Sequence, residues 1–523
     1  MNANWRRRPL TDWPSSLPHG DSPLPGWSQT PDPAIQWNAE RRRAVVDAID
    51  RQYQSQELNV DLSLLSAPNS RVVVTGHQLL IAGGVGLLHH KIWSAISVAK
   101  TLSTNWGVPV VPVFWMATED HDFQEISALR GDAGKHVWSH PLDGLPVPVG
   151  RLPLDGLQDA VGAWMQDGEQ SLDEASDLMD LLVLAQNRGE TLAHLMRRWM
   201  DKWYGEHGVL VLDADDAELK SLALPLWEAE MEGKGLSTCV PEGAAHVREN
   251  QLFWMDEGQG RVGMVPAEES TGWRAGSQFW LRPEQGWRGW CEEHAKHCSP
   301  GVLLRPLYQE WLLQSAAVVV GPGEWAYWDQ VRSGFEHHQL NFPALRLRDH
   351  VLWIPDEVKQ FRWKPSNGWC NAEQWSKLVL DQWMEAHHAD FDQIDAHRKS
   401  YAAAMDQLSS QLGPGMDAVT GAFWAQVDKA MQGWTKKARR VMKSNRHADW
   451  VAAERAGALL VREGLPQDRW MNTHAMASKA MPESGADTPF DLLVSSWLGH
   501  AESCLEAAVW ILEAIPENHS SQG

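Results

Sequence analysis

The amino-acid sequence predicts an α/β protein built on an open, parallel β-sheet. Short β-branched, apolar runs end in Gly or an acidic residue, and each lies next to a helical pattern. Such runs are typical of strands buried on both faces of a sheet. Between residues 71 and 116 a strand, a helix and a second strand follow one another. This βαβ order indicates parallel strands with a right-handed crossover.

The predicted sheet is interrupted by two inserts. Its strands are predicted at 71–76, 108–116, 208–213 and 316–321. Helices are predicted beside them at 87–102, 190–205, 216–232 and 325–338. The first insert, around 155–190, has helical periodicity, and the second, around 236–298, has short strand-like runs. Outside the sheet we expect an extended arm at 10–37 and helices at 38–57, 447–463 and 485–514.

A helical hairpin is predicted near the carboxyl end. Apolar residues recur at alternating steps of three and four from Phe391 through Leu408 to Leu412. The pattern resumes after Gly413-Pro414-Gly415 and runs from Phe423 to Val441. Two heptad helices joined by such a turn predict an antiparallel coiled coil, and we expect it to hold a homodimer.

These patterns divide the chain into seven predicted segments. They are 1–150 (arm and first part of the core), 151–190 (helical insert), 191–235 (core), 236–298 (small mixed insert), 299–386 (second part of the core), 387–465 (coiled coil) and 466–523 (C-terminal helical segment).

Composition excludes several classes of function. Acidic residues outnumber basic ones 68 to 46, and a formal net charge of −22 repels phosphate backbones, so no nucleic-acid partner is expected. No uncharged apolar stretch is long enough for a membrane-spanning helix, and no secretory signal follows Met1. Five irregularly spaced cysteines are typical of a reducing cytoplasm. Cys291, His294 and Cys298 share one helix face, but zinc sites usually draw ligands from separated segments, so we expect no metal there.

Ligands of open parallel sheets bind at the carboxyl ends of the strands, which directs attention to three loops. The first contains Thr75, Gly76, His77 and Gln78, followed by Gly83 and Gly84. Glycines let the backbone approach a ligand, and the following helix offers free N–H groups to an anion. On its own the motif is also compatible with a plain tight turn.

The second loop carries four ionisable residues in succession: Glu119, Asp120, His121 and Asp122. A His between two Asp is suited to general acid/base chemistry or to magnesium binding. The alternative is that the two aspartates fix the loop through hydrogen bonds to its backbone.

The third loop follows the last predicted strand. Gly321, Gly323 and Glu324 form a strand-to-helix turn with Tyr327 one helical turn further on. Glu324 could cap the helix or hold a substrate ammonium or ribose. Upstream, Arg305 could pair with a carboxylate or phosphate.

Four motifs together resemble a known family. They are Val74-Thr75-Gly76-His77-Gln78 with Gly83-Gly84, similar to V-T-G-Q-Q…G-G; residues 109–123, which match P-V-V-P-V-F-W-I-A-T-E-D-H-D-F except at Met116; residues 299–309, similar to S-P-N-V-L-L-R-P-L-Y-Q; and residues 321–328, similar to G-G-G-E-I-A-Y-W. Residues 465–469 resemble a further short segment of the family. The sequence is thereby identified as a divergent member of the bacillithiol biosynthesis cysteine-adding enzyme family, the cysteine ligases.

The resemblance implies a Rossmann-like core, connecting inserts and a dimerising coiled coil. It implies amide formation between the carboxyl of cysteine and the amine of glucosaminyl-malate, with ATP and Mg²⁺ expected for activation. We assign Asp120, His121 and Asp122 as the chemical centre, with His121 as the base. The nucleotide- or substrate-binding set implied by the motifs is Thr75, Gly76, His77, Gln78, Gly83, Gly84, Lys91, Glu119, Arg305, Gln309, Gly321, Gly323, Glu324 and Tyr327.

The chain also departs from the family pattern near this site. His77 replaces a Gln, and residues 87–91 lack the Tyr and Thr hydroxyls of the family's Y-T-I-Y-K. These changes leave open a second hypothesis, a non-catalytic scaffold that binds a nucleotide or sugar.

Overall fold

The chain folds into two compact units, residues 1–353 with 468–523 and residues 354–467. The structure is a computed structural model. It describes residues 4–10, 22–130, 134–167, 172–241, 245–256, 260–267, 272–361, 372–385, 388–481 and 488–513.

Within these residues the strands are β1 Asn4–Pro9, β2 Arg71–His77, β3 Val110–Met116, β4 Ala128–Arg130, β5 Lys135–Val137, β6 Leu210–Asp213, β7 Leu252–Asp256, β8 Gly260–Gly263, β9 Val265–Pro266, β10 Gly272–Ala275, β11 Gln278–Leu281, β12 Cys298–Pro300, β13 Ala317–Val320, β14 Ala344–Leu347, β15 His350–Ile354, β16 Val461–Arg462, β17 Leu465–Pro466 and β18 Ala508–Glu513.

The α-helices are α1 Ala39–Gln54, α2 Ser63–Ser66, α3 Gly86–Trp106, α4 Phe123–Ile126, α5 Leu157–Asp167, α6 Leu172–Asn187, α7 Leu192–Tyr204, α8 Ala217–Leu222, α9 Leu224–Met231, α10 Arg288–His294, α11 Leu304–Leu313, α12 Pro322–Gln330, α13 Arg332–His337, α14 Asp356–Lys359, α15 Ala372–Glu385, α16 His388–Leu412, α17 Met416–Asn445, α18 His447–Leu460, α19 Gln467–Trp470, α20 Thr473–Ala480 and α21 Pro489–His500. None of these helices is long and apolar enough to cross a lipid bilayer.

The central sheet has five parallel strands in the order β14-β13-β2-β3-β6, which confirms the predicted fold class. From β2 the chain proceeds to β3 and β6 on one side, while β13 and β14 lie on the other. The sheet therefore has a topological switch point between β2 and β13, where ligands of such folds bind. The fifth strand, β14, was not predicted.

Helix α3 packs closely on the sheet, because most of its residues are buried. Ala95, Val98 and Leu102 pack against Val73 of β2 and Val319 of β13 in one core cluster. Burial of a Val or Leu side chain contributes about 1.5–3 kcal/mol, so these contacts stabilise the carboxyl-terminal half of α3 against the sheet.

The two terminal segments pair with each other, and the prediction for the second was partly wrong. Residues 4–9, for which no element was predicted, form a strand that pairs with β18. Residues 508–513 were expected to be helical, but the helix ends at His500 and the run Ala508–Glu513 is a buried strand. A run of five buried apolar residues without helical periodicity favours a strand, and its partner β1 is too distant in sequence for a local pattern to reveal. Residues 11–21 of the predicted arm lie outside the described residues.

In the second unit, α16 and α17 form the predicted antiparallel hairpin, but the facing residues differ from the predicted heptad positions. Ser409 Oγ lies 2.5 Å from Thr420 Oγ1, and Arg398 pairs with Asp428. Because the facing side chains at the end near the turn are small, larger apolar side chains lie on the outside of the hairpin. The exposed ones are Tyr401, Leu408, Leu412, Val419, Phe423, Trp434 and Val441. Phe391 and Ile394 lie outside the residues whose side chains are described.

Candidate functional site

A cavity of about 680 Å³ opens at the carboxyl ends of β2, β3 and β13. The predicted site residues that line it are Gly76, His77, Gln78, Lys91, Glu119, Asp120, Arg305, Gly321, Gly323, Glu324 and Tyr327. The sheet thus brings residues from all three predicted loops into one site. The other predicted residues, Thr75, Gly83, Gly84, His121, Asp122 and Gln309, lie behind or beside this wall.

A buried ion pair occupies the switch point. Lys91 of α3 donates from Nζ to the carbonyl of Gly76 at 2.7 Å and pairs with the carboxylate of Glu324. Glu324 also accepts from the N–H of Gly321 at 2.9 Å, which caps α12. Burial lowers the pKa of Lys91 despite Glu324. Burial favours a higher pKa for Glu324, but Lys91 and Arg305 outweigh it and hold that pKa below its usual value. The contact between the two groups favours the charged form of each.

Arg305 extends this cluster along the wall. Its guanidinium donates to the hydroxyl of Tyr327 and, at 3.2 Å, to Oε1 of Gln309. Burial raises the pKa of Tyr327 to about 12. A Cβ at Gly76 would lie 3.3 Å from Nη1 of Arg305, so the glycine lets the guanidinium pass close to the backbone. Gln309 acts through Arg305 and does not border the cavity.

The loop after β3 is held in place on both sides. Gln78 Nε2 donates to Asp120 Oδ2 at 2.6 Å, which joins the first two loops. The N–H groups of Val149 and Gly150 donate to the carbonyls of Asp120 and Thr118 at 2.6 and 2.9 Å. The carboxylate of Asp120 is about one-third exposed and remains accessible from the cavity.

His121 and Asp122 have different surroundings from Asp120. His121 Nδ1 lies 3.3 Å from Nη1 of Arg261. A guanidinium can only donate, so Nδ1 is the acceptor and Nε2 carries the proton of the neutral ring. Burial and then Arg261 lower the pKa of His121. Asp122 accepts from the N–H of Glu125 at 3.2 Å and caps α4.

A second imidazole, His77, lines the cavity itself. Its Nδ1 donates to the carbonyl of Gln78 at 2.9 Å, so Nε2 is left as an acceptor. Burial and then Lys91 lower the pKa of His77 to about 4. His77 is therefore a neutral hydrogen-bond acceptor at physiological pH.

Three other predicted residues are structural in their contacts. Thr75 is buried and donates from Oγ1 to the carbonyl of Val319 at 2.9 Å, which links β2 to β13. Gly83 and Gly84 have positive φ angles of 79° and 71° in the turn before α3. A Cβ at Gly83 would lie 2.5 Å from Cδ2 of His474, so only glycine is accommodated there.

The carboxylate of Glu119 forms an ion pair with a buried lysine. Lys220 Nζ lies 2.7 Å from Glu119 and 2.6 Å from Asp215. Burial raises the pKa of Glu119, although Lys220 opposes the shift. Burial disfavours the charged form of Lys220, but Glu119 and Asp215 outweigh it and raise its pKa. The lysine links the carboxylate of Glu119 to α8.

Sequence reasoning missed the wall that the small insert contributes. It includes His246, Arg248, Gln251, Phe253 and Arg261, with Arg348 and Arg469 from other segments. Short, irregular strands carry the insert residues and gave no periodic signal. Arg469 lay within a motif of the family resemblance, and its neighbour Asp468 forms a buried ion pair with Arg348.

The geometry offers few metal ligands. Among the described residues, no group of three or more His, Cys, Asp and Glu side chains is arranged to hold a metal ion. At the cluster near α10, burial raises the pKa of Cys298 to about 12, so this thiol stays protonated. A thiolate is the form that binds zinc.

The cavity lies at the switch point of a Rossmann-like sheet and is rich in guanidinium and carboxylate groups. Such a cavity is typical of α/β proteins that bind small polar or anionic molecules. Residues 29–349 match the family model described as Bacillithiol biosynthesis BshC, N-terminal Rossmann-like domain, and the chain belongs to this family.

Curated relatives extend the similarity over most of the chain. A protein of Flavobacterium psychrophilum named "Putative cysteine ligase BshC" is 28% identical over 78% of this chain and 78% of its own. Proteins with the same name from Flavobacterium johnsoniae and Salinibacter ruber are 30% and 26% identical. They align over 62% and 84% of this chain, and over 63% and 84% of their own.

Proposed function

We propose that this protein is a ligase that joins the carboxyl of cysteine to the amine of glucosaminyl-malate, the cysteine-adding step of bacillithiol synthesis. Family membership and the names of the relatives support the reaction class. The observation that carries the proposal is one cavity lined both by the Lys91–Glu324–Arg305 cluster and by the carboxylate of Asp120. Cations suit the carboxyl and phosphate groups of substrates, whereas carboxylates suit their ammonium groups.

Amide formation from a free carboxylate requires activation, because its oxygen is a poor leaving group. ATP with Mg²⁺ would supply that activation by converting the carboxylate into an acyl phosphate, with release of ADP, or into an acyl adenylate, with release of pyrophosphate. In this chain Lys91 and Arg305 are the cations at the switch point, and the N–H groups at the start of α12 lie beside them. Such groups stabilise phosphate charge. Asp120 is the carboxylate best placed to contact a magnesium ion.

The attacking ammonium must also lose a proton. We assign this step to the Asp120-His121-Asp122 segment, with Asp120 at the cavity and His121 beside it. Because Arg261 donates to Nδ1 of His121, the proton of the neutral imidazole is on Nε2. The proton of the ammonium would pass to Nδ1 of His121, the unprotonated nitrogen of the ring, which lies 3.8 Å from Oδ1 of Asp120. His77 and Tyr327 would hold hydroxyl or amino groups of the substrates.

The direct test is a reaction of purified protein with cysteine, glucosaminyl-malate, ATP and Mg²⁺, followed by mass spectrometry. We expect the amide product, with nucleotide turnover that requires both substrates. Nucleotide or sugar binding without product would favour the scaffold hypothesis, which the departures at His77 and Leu87 motivate because both residues line the cavity. Absence of both product and binding would refute the proposal.

We also propose that the protein is a homodimer held by the outer face of the α16–α17 hairpin. Its support is the set of apolar side chains exposed there, of which Tyr401 is 69% and Leu412 61% accessible in the single chain. Large apolar patches of this kind are typical of interfaces.

A further inference from the structure

Two arginines lie over the ring of one phenylalanine on the insert wall of the cavity. The ring centroid of Phe253 lies 4.7 Å from Cζ of Arg248 and 4.2 Å from Cζ of Arg261. All three side chains line the cavity. A guanidinium that stacks on an aromatic ring keeps its in-plane N–H groups free for an anion, which applies here to Arg248.

The local fold makes space for this arrangement. Phe253 of β7 is paired with Gly263 of β8. A Cβ at position 263 would lie 2.0 Å from Nη2 of Arg248, so any larger residue there would displace the guanidinium. Gly263 therefore leaves the space that the guanidinium of Arg248 occupies.

Arg261 is fixed by several contacts. Its Nε donates to Ser299 Oγ at 2.9 Å, and Nη2 donates to the carbonyl of Pro300 at 2.8 Å. Its backbone N–H donates to the carbonyl of Pro146 at 2.6 Å. Nη1 lies 3.7 Å from Asp120, so Arg261 connects the insert wall to the loop after β3.

Arg248 differs because it is exposed at the cavity wall and is in none of the ion pairs found among the described residues. Arg261 lies over the same ring and is close enough to Arg248 for the two positive charges to repel each other, with Glu119, Asp120 and Asp215 opposing that repulsion at Arg261. An anionic ligand would relieve the repulsion between the two guanidinium groups.

We propose that Arg248 and Arg261 bind the carboxylate-bearing substituent of the acceptor substrate and so determine its specificity. This inference rests on the proposed ligase function. Guanidinium groups pair with carboxylates through two parallel hydrogen bonds, and the contact of Arg261 with the Asp120 loop places the substituent near the group assigned to the acceptor amine. Guanidinium groups also bind phosphate. In the proposed reaction, however, the phosphate is bound by Lys91 and Arg305 at the switch point.

The experiment compares Arg248→Ala with two acceptors, glucosaminyl-malate and methyl glucosaminide, which lacks the carboxylates. We expect the KM for glucosaminyl-malate to rise at least tenfold, and the preference for the malate-bearing acceptor to shrink by the same factor. Arg248→Lys should restore part of that preference. Arg274→Ala, an exposed arginine of the same insert outside the cavity wall, is the matched control.

Two outcomes would overturn the inference: an equal KM change for both acceptors, or a rise confined to the KM for ATP, which would assign the arginines to phosphate. Calorimetric titration with glucosaminyl-malate separates this inference from the ligase proposal. If the unmodified protein forms no product, the ligase proposal fails. In that case the inference about the arginines is judged by binding alone, and Arg248→Ala should bind glucosaminyl-malate at least tenfold more weakly than the unmodified protein. Equal binding of glucosaminyl-malate by the variant and the unmodified protein would disprove the inference.

Discussion

Gln78 and Asp120 are joined by a 2.6 Å hydrogen bond that connects the loops after two adjacent strands. Removing the amide in Gln78→Ala leaves one oxygen of the carboxylate without its donor, so Asp120 should lose its orientation. Because a hydrogen bond to a charged group contributes about 1.5–3 kcal/mol, we expect turnover to fall by roughly tenfold to a hundredfold. Steady-state assays of product formation measure this effect.

The control for that prediction is Gln54→Ala. Gln54 Nε2 makes a similar 2.7 Å bond to Asp50, but on the exposed face of α1. Turnover of this variant should match that of the unmodified protein. If both variants keep full activity, the Gln78–Asp120 contact has no role in the reaction.

His121→Ala tests the assignment of the chemical centre. We expect turnover to fall at least a hundredfold, the usual loss for a group that moves a proton, with a nearly unchanged melting temperature. The melting temperature should hold because the ring is partly exposed and contacts Arg261 through a single hydrogen bond. A variant that melts much earlier, or one with full activity, would show that the segment is structural.

Lys220→Met should destabilise the core unit. It removes the buried cation between Glu119 and Asp215, so the buried Glu119 loses this partner while Asp215 keeps its ion pair with Arg151. Breaking a buried pair typically costs about 3–5 kcal/mol, which urea unfolding can measure. Lys202→Met removes an exposed partner of Asp177 and should cost less than about 1 kcal/mol. Similar losses for the two variants would argue against a structural role for the buried triad.

Stability should fall as the pH is lowered from about 6.5 to 4 because of His89. The ring is buried, accepts from the hydroxyl of Tyr204 and donates to the carbonyl of Gly83. Burial lowers its pKa from 6.5 to about 4, so in this range the unfolded chain binds a proton that the folded chain does not. At pH 5 this difference costs the folded state about 2 kcal/mol relative to pH 7.5.

The test of that pH effect is the free energy of unfolding of His89→Gln at the two pH values. The drop between them should be about 2 kcal/mol smaller than in the unmodified protein. His500→Gln, on the exposed end of α21, should keep the full drop. An unchanged drop in His89→Gln would mean that the ring is protonated in the folded state.

Leu408→Asp tests the dimer. Leu408 is 53% exposed on the outer face of the hairpin, so the charge should disrupt association without unfolding a single chain. Light scattering at micromolar concentration should give twice the mass of one 58.7 kDa chain for the unmodified protein, and one chain mass for the variant. Val427→Asp provides a second position from the predicted seam. A monomeric unmodified protein would refute the proposed dimer.

The sequence predicts those parts of the fold that are marked by a pattern within one short run of residues. The strands β2, β3, β6 and β13 were recognised because each is a continuous apolar run, and parallel pairing then brought their loops together. The strand β14 was missed because Arg346 interrupts a four-residue run, and its charge is compensated only through Asp349 in the folded chain. Nothing local indicates that Arg346 is buried.

The site shows the same limit. Asp120 and Glu324 follow recognisable strands, whereas Arg248 and Arg261 reach the cavity only because the insert folds back against the loop that contains Pro146. The hairpin illustrates a different difficulty. A step of three and four residues locates an apolar stripe on a helix, but it does not say whether that stripe faces the other arm of the hairpin or the outside.

The position of β18 between β1 and β15 has a consequence for synthesis on the ribosome. At a synthesis rate of about 5–20 residues per second, roughly 25–100 seconds pass between the synthesis of β1 and that of its partner strand β18. During that time an unpaired strand could join other chains edge to edge. Arg6, Arg7 and Arg8 give β1 three consecutive positive charges, two of which are neutralised by Glu513 and Glu506 only after pairing. The charges that later secure this strand therefore protect the nascent chain from aggregation until its carboxyl end emerges.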